Sequence, residues 1–324
     1  MTGLKVFVLV FLASASLDRA WAQTTTQNPE EKKLGWTNAA DFSLVVTAGN
    51  SAAQTLGFSD HLRYTWPEAR FSFDATGVQS DTSDDRYFVV PAGQQFPVGG
   101  KPPNVTPTLV KPEPTSDVRN YLIGGRYDKD ITRRFFWNAG ASWDHNKDAG
   151  IVSRYIAFAG IGNNWVDTAR RRFLTDYGVS YTDRKEEEPD PEKERRFGGL
   201  RLGWYYTEHF NQSTTLDSIF SSNTNLTDTT DTSISTTNSV SVAMTSHLSL
   251  KASVQWLFEN EPALETDLDV VAFVDVVNPD GVPGSGDEFF RTQPSGGVKL
   301  VVGTADARRD KLDTIFRTSL VVSF

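Results

Sequence analysis

The sequence predicts an all-β protein, a transmembrane antiparallel β-barrel of about 12 strands with long external loops. Apolar and polar residues alternate with period two in runs of roughly ten residues. The connections between these runs alternate between short and longer segments. Phe, Tyr and Trp make up 12% of the residues although only 38% are hydrophobic, a mixture typical of strands with a single apolar face. No long stretch has the apolar spacing of an amphipathic helix, so helices are expected to be scarce.

The first element is an export signal. An apolar run at residues 6–12 follows Lys5, and small residues lead from it to Ala20-Trp21-Ala22. This run is too short to cross a membrane as a helix. We predict cleavage near Ala22 and delivery of the mature chain to the cell outer membrane. The predicted organisation is a signal peptide over residues 1–22, a polar periplasmic tail over residues 23–34 and an integral outer-membrane barrel over residues 35–324.

Charge and cysteine content exclude several classes of protein. The formal net charge is −9, which argues against a nucleic-acid partner. The chain has no cysteine, so it has no disulfide, no cysteine nucleophile and no thiol-ligated metal. With only four histidines, a His-rich metal site is not expected either. We therefore expect no cofactor and no metal site.

The barrel strands follow from the alternation, which is clearest in the last strand. There the even positions from Thr314 to Phe324 are mostly apolar, whereas the odd positions include Arg317, Ser319 and Ser323. One face can contact lipid while the other lines a polar interior. The same pattern is present at residues 56–64, 71–76, 173–182, 239–245 and 248–259.

Two features depart from this pattern. Segments 152–166 and 213–224 alternate poorly. Asp60 falls on the lipid-facing parity between Phe58 and Leu62, where a carboxylate is costly. Either a bulge shifts the parity there, or this part of the strand lies beyond the hydrocarbon layer.

The connections are sorted into two sides by their lengths, with the start of the barrel placed in the periplasm. All the predicted periplasmic turns are short. The predicted periplasmic turns are residues 66–69, 129–133, 164–171, 208–212 and 246–247. The predicted external connections are residues 49–51, 81–117, 146–150, 184–195, 225–232 and 259–310. The two longest, near residues 81–117 and 259–310, are insertions, and segments 268–277 and 298–304 are expected to form a hairpin in the second one.

The chain ends on an aromatic residue at the end of an alternating strand. Such an end is typical of proteins that the outer-membrane assembly machinery recognises. Phe324, with Val322 and Leu320 on the same face, is therefore the predicted assembly signal. The barrel assembly machinery is the partner expected during biogenesis.

Three segments resemble a known family. Residues 41–77 (DFSLVVTAGNSAAQTLGFSDHLRYTWPEARFSFDATG), 121–146 (YLIGGRYDKDITRRFFWNAGASWDHN) and 195–210 (RRFGGLRLGWYYTEHF) are similar to hairpins of the salt-induced outer-membrane protein family, a group without an established function. The resemblance covers most of residues 36–264 and the last strand. It implies an outer-membrane β-barrel and supplies no catalytic residues, and the two inserted loops depart from it.

Charged residues on the polar faces are the candidate functional residues. They carry both signs, so they either line a narrow channel and set its ion selectivity or close it as a network of ion pairs. The predicted lumen-lining residues are Arg63, Asp74, Arg126, Asp128, Asp176, Arg201, Lys251, Glu259, Asp313 and Arg317.

Catalytic arrangements are not expected. Asp144 and His145 are adjacent in a strand, so their side chains point to opposite faces and cannot act on one substrate. His61 lies near serines, but no lipid-facing Ser with a neighbouring His and an orienting group is apparent. The sequence therefore predicts a protein that is not an enzyme, and a membrane-embedded hydrolase is the least favoured hypothesis.

Two functions remain open. The first is a narrow passive channel for ions or small solutes. The second is a closed structural or stress-related barrel whose external loops bind a partner or lipopolysaccharide. Outer-membrane lipid and lipopolysaccharide are expected to surround either one.

Overall fold

The computed structural model describes residues 34–48, 54–79, 86–110, 119–147, 149–282, 284 and 286–323. These residues form strands, turns and irregular segments, and they belong to one compact unit. The predicted signal peptide, nearly all of the predicted tail, and Phe324 lie outside the described residues.

Twelve strands close into an antiparallel barrel, as predicted. Their order around the wall is β1-β18-β14-β13-β12-β11-β10-β9-β8-β7-β3-β2, and β2 pairs with β1 to complete the ring. Closure satisfies the backbone hydrogen bonds of every wall strand, as a bilayer requires. The wall strands are β1 (Gly35–Ala48), β2 (Gln54–Thr65), β3 (Ala69–Gln79), β7 (Arg119–Asp130), β8 (Phe135–Asn146), β9 (Ile151–Asp167), β10 (Arg171–Glu186), β11 (Arg196–His209), β12 (Thr214–Asn225), β13 (Thr232–Ala243), β14 (Leu248–Glu259) and β18 (Leu312–Ser323).

The strand alternation separates an apolar outer face from a polar inner face. In β18 the outward side chain of Phe316 is 52% exposed, whereas inward Ser319 is 3% exposed. Strand β1 continues the pattern, because outward Phe42 pairs with outward Leu320 and inward Asp41 is buried. Large apolar side chains exposed on the outside of a closed barrel are suited to lipid.

Short turns join the strands at one end of the barrel, which we call the turn end; the opposite end, with the two insertions, is the loop end. At the turn end the turns cover residues 66–68, 131–134, 168–170, 210–213 and 244–247. Side-chain oxygens accept hydrogen bonds from backbone N–H groups within these turns, as Thr132 does from Phe135 (3.0 Å) and Asn211 does from Thr214 (2.8 Å).

Aromatic side chains form a girdle on the outside of the wall at the turn end. Trp36 packs against Tyr64 with ring centroids 4.8 Å apart, and Tyr64 packs against Trp66 at 4.4 Å. Tyr127 and Trp137 extend this girdle, with their ring centroids 5.4 Å apart. Aromatic girdles of this kind mark the boundary between hydrocarbon and water in membrane barrels.

Strands β9 and β12 explain why the alternation is weak in their segments. Strand β9 runs to Asp167, past the start of the predicted turn, and a register shift opposite Phe173 and Leu174 accommodates it. In β12 the apolar side chain of Ile219 faces inward, while Ser218 faces outward and pairs with Asn238 of β13. Polar residues outside and an apolar residue inside obscure the period-two signal.

Asp60 faces outward near the middle of β2. It pairs with Ala40 on one side and Ala75 on the other, and neither pairing contains a register shift. The prediction that a bulge turns this carboxylate inward is therefore wrong. The other explanation, that this part of the wall lies beyond the hydrocarbon layer, stays a prediction.

The two insertions fold together into a second sheet, the cap sheet. Strand β15 is its centre, pairing antiparallel with β16 and β17 and parallel with β4. The sheet has its own apolar core of Val90, Phe96, Ala272 and Val274, each at most 4% exposed. The expected hairpin is present as β15 and β17, whereas the participation of residues 86–110 has no signal in the sequence. The cap strands are β4 (Tyr87–Val89), β5 (Gln95–Pro97), β6 (Thr108–Val110), β15 (Leu264–Val277), β16 (Phe289–Thr292) and β17 (Val298–Arg308).

The contact between β9 and β10 depends on a glycine pair. Gly160 and Gly178 are direct partners on the inner face, and a Cβ added to Gly178 would lie 2.6 Å from the Cα of Gly160 and closer still to the carbonyl oxygen of Ala159. We expect Gly178→Ala to lower the free energy of unfolding in detergent micelles by about 1–3 kcal/mol, because backbone atoms must move. Gly198→Ala is the matched control, since its added Cβ meets nothing within 4 Å. Equal stability of the two variants would contradict the tight approach.

Candidate functional site

The lumen holds the candidate site. The strand register places all ten residues of the predicted lumen set on the inner face of the wall, although it does not gather them at one place. Lys251 lies beside Asp41 of β1, with the Nζ and Oδ2 atoms 3.3 Å apart. Arg126, Asp128 and Asp176 meet in the turn-end half of the lumen, Glu259 lies at the loop end, and Arg63 and Asp74 line a cavity in the turn-end half.

An ion-pair network, which we call the Arg126 network, lies in the turn-end half of the lumen. Arg126 donates to Asp128 (2.7 Å), to Asp176 and to the hydroxyl of Tyr205 (3.1 Å). Arg70 donates to the other oxygen of Asp128 at 2.7 Å. The Arg126, Asp128 and Asp176 side chains are only 4–11% exposed, so these charges depend on one another. The network joins strands β3, β7, β10 and β11.

A second group of ion pairs crosses the loop end. Arg154 of β9 donates to Asp144 of the neighbouring strand (3.1 Å) and to Glu259 of β14 (2.6 Å). Strands β9 and β14 are five places apart in a ring of twelve, so this contact spans the lumen. The opening is bridged by a salt bridge whose two side chains are 17% and 19% exposed.

The base of the cap sheet also crosses the loop end. Arg309, just before β18, donates to the carbonyl oxygen of Lys147 (2.7 Å) and to Glu187 (2.8 Å). Lys147 follows β8 and Glu187 follows β10, both on the far side of the ring from β18. Together with the Arg154 pairs, these contacts form what we call the loop-end layer.

Asp190 fixes the cap sheet to the loop between β10 and β11. It accepts from Arg308 at 2.7 Å and from the backbone N–H of Glu192 at 3.0 Å. Burial acts to raise the pKa of Asp190, but these donors act in the opposite direction and hold the pKa below its ordinary value. The carboxylate therefore stays ionised at neutral pH, and the pair with Arg308 persists.

An apolar cluster narrows the lumen just inside the loop-end layer. Val78 of β3 packs against Ile315 of β18, and Leu257 of β14 packs against this pair. All three side chains are on the inner face, and β3 and β18 are three places apart in the ring. The lumen is therefore constricted by contact between walls as well as by charge.

The turn end contains an open cavity. Its volume is about 240 Å³, and its inner-face lining includes Thr37, His61, Arg63, Ser72 and Asp74. His61 and Asp74 are joined through Nδ1 and Oδ1 at 2.7 Å. The cavity is smaller than the pockets of about 300–1,000 Å³ that hold drug-sized ligands, so it suits a small solute.

Several inward arginines form no ion pair. Among the described residues, Arg63, Arg172, Arg201 and Arg317 have neither a carboxylate nor a hydrogen-bond acceptor within bonding distance. Arg201 instead lies over the ring of Phe158, with the guanidinium carbon 4.3 Å from the ring centroid. These arginines are therefore luminal positive charges without a direct ion pair to the described residues, although carboxylates such as Asp217, Asp167 and Asp41 lie near Arg63, Arg172 and Arg317.

Some of the charged residues that face the lumen were not identified from the sequence. Arg70 has the same parity as Asp74 in β3, and Arg172 has the same parity as Asp176 in β10. Applying the alternation through to the first residues of each strand would have found both. Arg154 lies in a segment whose alternation is weak, so the sequence carries no such signal for it.

The described residues do not assemble the catalytic or metal sites that were considered. Asp144 faces the lumen and pairs with Arg154, while His145 faces outward and stacks on Tyr121. Within the described ranges no group of three or more His, Asp or Glu side chains is placed to hold a metal ion. No helix in the described part of the chain has the length and apolar character needed to cross a membrane.

A closed antiparallel wall with an apolar outside, an aromatic girdle and a charged interior defines a transmembrane β-barrel protein. More particularly, the chain belongs to the family described as protein of unknown function, DUF481, which matches residues 40–271. That match carries no reference to salt induction. No curated protein matches the chain in sequence.

Solved outer-membrane porins are similar to the chain at a low level. The NanC porin is 9% identical with a TM-score of 0.44, over 87% of this chain and 98% of that one. The KdgM porin, solved with disordered oligogalacturonate, is 8% identical with a TM-score of 0.40, over 88% and 99%. An anion-selective porin from Comamonas acidovorans is 8% identical with a TM-score of 0.36, over 89% and 98%. These scores are below 0.5, so the fold assignment rests on the strand pairing.

Proposed function

We propose that this protein is an outer-membrane channel that passes ions or small solutes by diffusion. The observation that carries the proposal is the set of inward arginines without ion pairs, together with the open cavity at the turn end. A barrel that served only as a rigid structure would gain stability by pairing these charges or replacing them with apolar groups. In the proposed orientation the turn end faces the periplasm and the cap sheet faces outward.

The loop-end layer is the proposed gate of this channel. It consists of ion pairs and hydrogen bonds between opposite walls, with no covalent link, and such contacts can break and re-form. This end of the barrel is bridged by these contacts, so we expect low conductance from the wild-type protein with discrete opening events.

Single-channel recording in planar bilayers tests the proposal. The refolded protein should give current steps, and its reversal potential under a salt gradient should report anion preference because four luminal arginines have no ion pair within the described ranges, whereas most luminal carboxylates are paired. Heat-modifiable gel mobility of the same sample shows that the barrel has folded.

Reversing one luminal charge should change that preference. We expect Arg317→Glu to raise the cation-to-anion permeability ratio by about twofold or more, because Arg317 faces the lumen and has no carboxylate partner. Lys129→Glu is the control, since Lys129 is an exposed residue on the outer face of β7. An unchanged ratio in a conducting Arg317→Glu barrel would count against the channel.

The cap sheet favours a second function, a closed barrel whose external loops bind a partner or lipopolysaccharide. This sheet has a core of its own and is fastened to the barrel by ion pairs. A folded barrel that stays silent in bilayers, even after the loop-end layer is disrupted, would support this alternative over the channel. Recognition by the barrel assembly machinery and contact with outer-membrane lipid are proposed for both functions.

A further inference from the structure

Two unpaired arginines face each other in the turn-end half of the lumen. Arg63 lies near the end of β2 and Arg172 near the start of β10, strands that are five places apart in the ring. Both side chains are on the inner face; Arg70 acts electrostatically on both of them, and Arg63 acts on Arg172. Like charges that approach across a lumen repel one another, and an anion between them would turn this repulsion into attraction.

Most of the nearby carboxylates have other partners; the exception is Asp167, which lies directly across from Arg172 in the pairing of β9 with β10 and interacts with it electrostatically. Asp128 accepts from both Arg70 and Arg126, and Asp176 accepts from Arg126. Asp74 pairs with His61 at 2.7 Å. Asp217 lies near Arg63 and accepts from Thr207 at 2.8 Å. These groups reduce the local positive potential, but none of them forms an ion pair with Arg63 or Arg172.

The two guanidinium groups remain available to a solute. Arg63 is exposed and lines the turn-end cavity, and Arg172 is half-buried with its Nε atom lacking an acceptor. The hydroxyls of Thr37, Ser72 and Ser323 line the same cavity. Guanidinium groups bind planar carboxylates and phosphates through paired N–H donors, and hydroxyl groups bind polar parts of a solute.

We propose that the turn-end half of the lumen is an anion-binding site, in which Arg63 and Arg172 bind the carboxylate or phosphate group of a small hydroxylated solute. This inference rests on the proposed channel function and specifies its substrate class. The site lies below the constriction formed by Val78, Ile315 and Leu257, so it would be occupied from the turn end even when the loop-end layer is closed.

Calorimetric titration of the refolded protein in detergent micelles tests the site without requiring conduction. Gluconate carries a carboxylate and hydroxyls, inorganic phosphate carries the anion alone, and sorbitol is the matched neutral polyol. At fixed low ionic strength, we expect gluconate and phosphate to bind and sorbitol to give no binding heat. Both Arg63→Gln and Arg172→Gln should weaken gluconate binding at least about tenfold, since each removes a charge-assisted bond.

The variants keep this test decisive. Neither arginine is part of an ion pair, so each Gln variant should fold, which heat-modifiable mobility verifies. Lys129→Gln removes a positive charge at the same end from the outer face and should leave gluconate affinity unchanged. Equal binding of gluconate and sorbitol, or wild-type affinity in both Gln variants, would overturn the anion site.

Failure of the anion site and failure of the channel give different results. A barrel that conducts but does not bind gluconate or phosphate would retain the channel and lose the anion site. A barrel that binds gluconate through Arg63 and Arg172 but never conducts would lose the channel and show that the site serves capture of an anion rather than passage.

Discussion

Replacing Arg126 with Met is expected to lower the free energy of unfolding by about 3–5 kcal/mol, the cost of breaking a buried ion pair. The substitution keeps a side chain of similar length but removes the donor of Asp176 and leaves Asp128 with Arg70 as its remaining donor. The Asp128 and Asp176 side chains are 8% and 4% exposed, so neither carboxylate can be hydrated in place. Urea unfolding in detergent micelles, followed by tryptophan fluorescence, measures the change.

The same substitution at Arg317 is the control. Arg317 also faces the lumen, but it has no ion pair to break, so Arg317→Met should cost less than about 1 kcal/mol. Adding Asp176→Asn to Arg126→Met should restore part of the lost stability by removing one unpaired charge. Similar stabilities of Arg126→Met and Arg317→Met would show that the Arg126 network does not stabilise the barrel.

Arg154→Ala is expected to raise the open probability of the channel by about tenfold. Loss of the contact with Glu259 removes a charge-assisted bond worth about 1.5 kcal/mol or more, and that amount shifts a two-state equilibrium by this factor. The change also leaves Asp144 and Glu259 as unpaired carboxylates, which favours separation of the walls. Single-channel recording measures the open probability directly.

Arg154→Lys is the matched variant, because it keeps the positive charge at the same position. It should remain mostly closed, with an open probability nearer to that of the wild type. If Arg154→Ala and the wild type open equally often, the Arg154 ion pairs alone do not form the gate. Combining Arg154→Ala with Arg309→Ala then tests whether the cap sheet closes the opening by itself, since Arg309 makes the other contacts across the mouth.

The inner and outer faces of the wall could be predicted from the sequence because each strand carries its own local pattern. Side chains alternate between the two faces along a strand, so one residue whose face is known gives the faces of its neighbours. Arg317 in β18 and Lys251 in β14 were assigned inward from their own segments, and the register places them there. The method fails where a strand contains a register shift or carries polar residues outward, as β9 and β12 do.

The ion-pair partners of these charged residues could not be predicted from the alternation. Arg126 and Asp176 are separated by 50 residues, and Arg154 and Glu259 by 105. Contacts across a lumen depend on the number of strands, their stagger and the curvature of the wall, none of which is encoded by alternation. The division into paired and unpaired arginines, on which the proposed function rests, is therefore a property of the closed barrel.

The sequence by itself determined the fold class, the approximate strand number and the faces of most strands, because a membrane barrel must repeat one local pattern in every wall strand. Tertiary structure alone decided that residues 86–110 join β15 in the cap sheet and that the loop end is bridged. It also decided that Arg63 and Arg172 lie on opposite sides of the lumen, each without an ion pair among the residues that the structure describes. These features depend on which distant segments meet when the wall closes, and no local pattern specifies that.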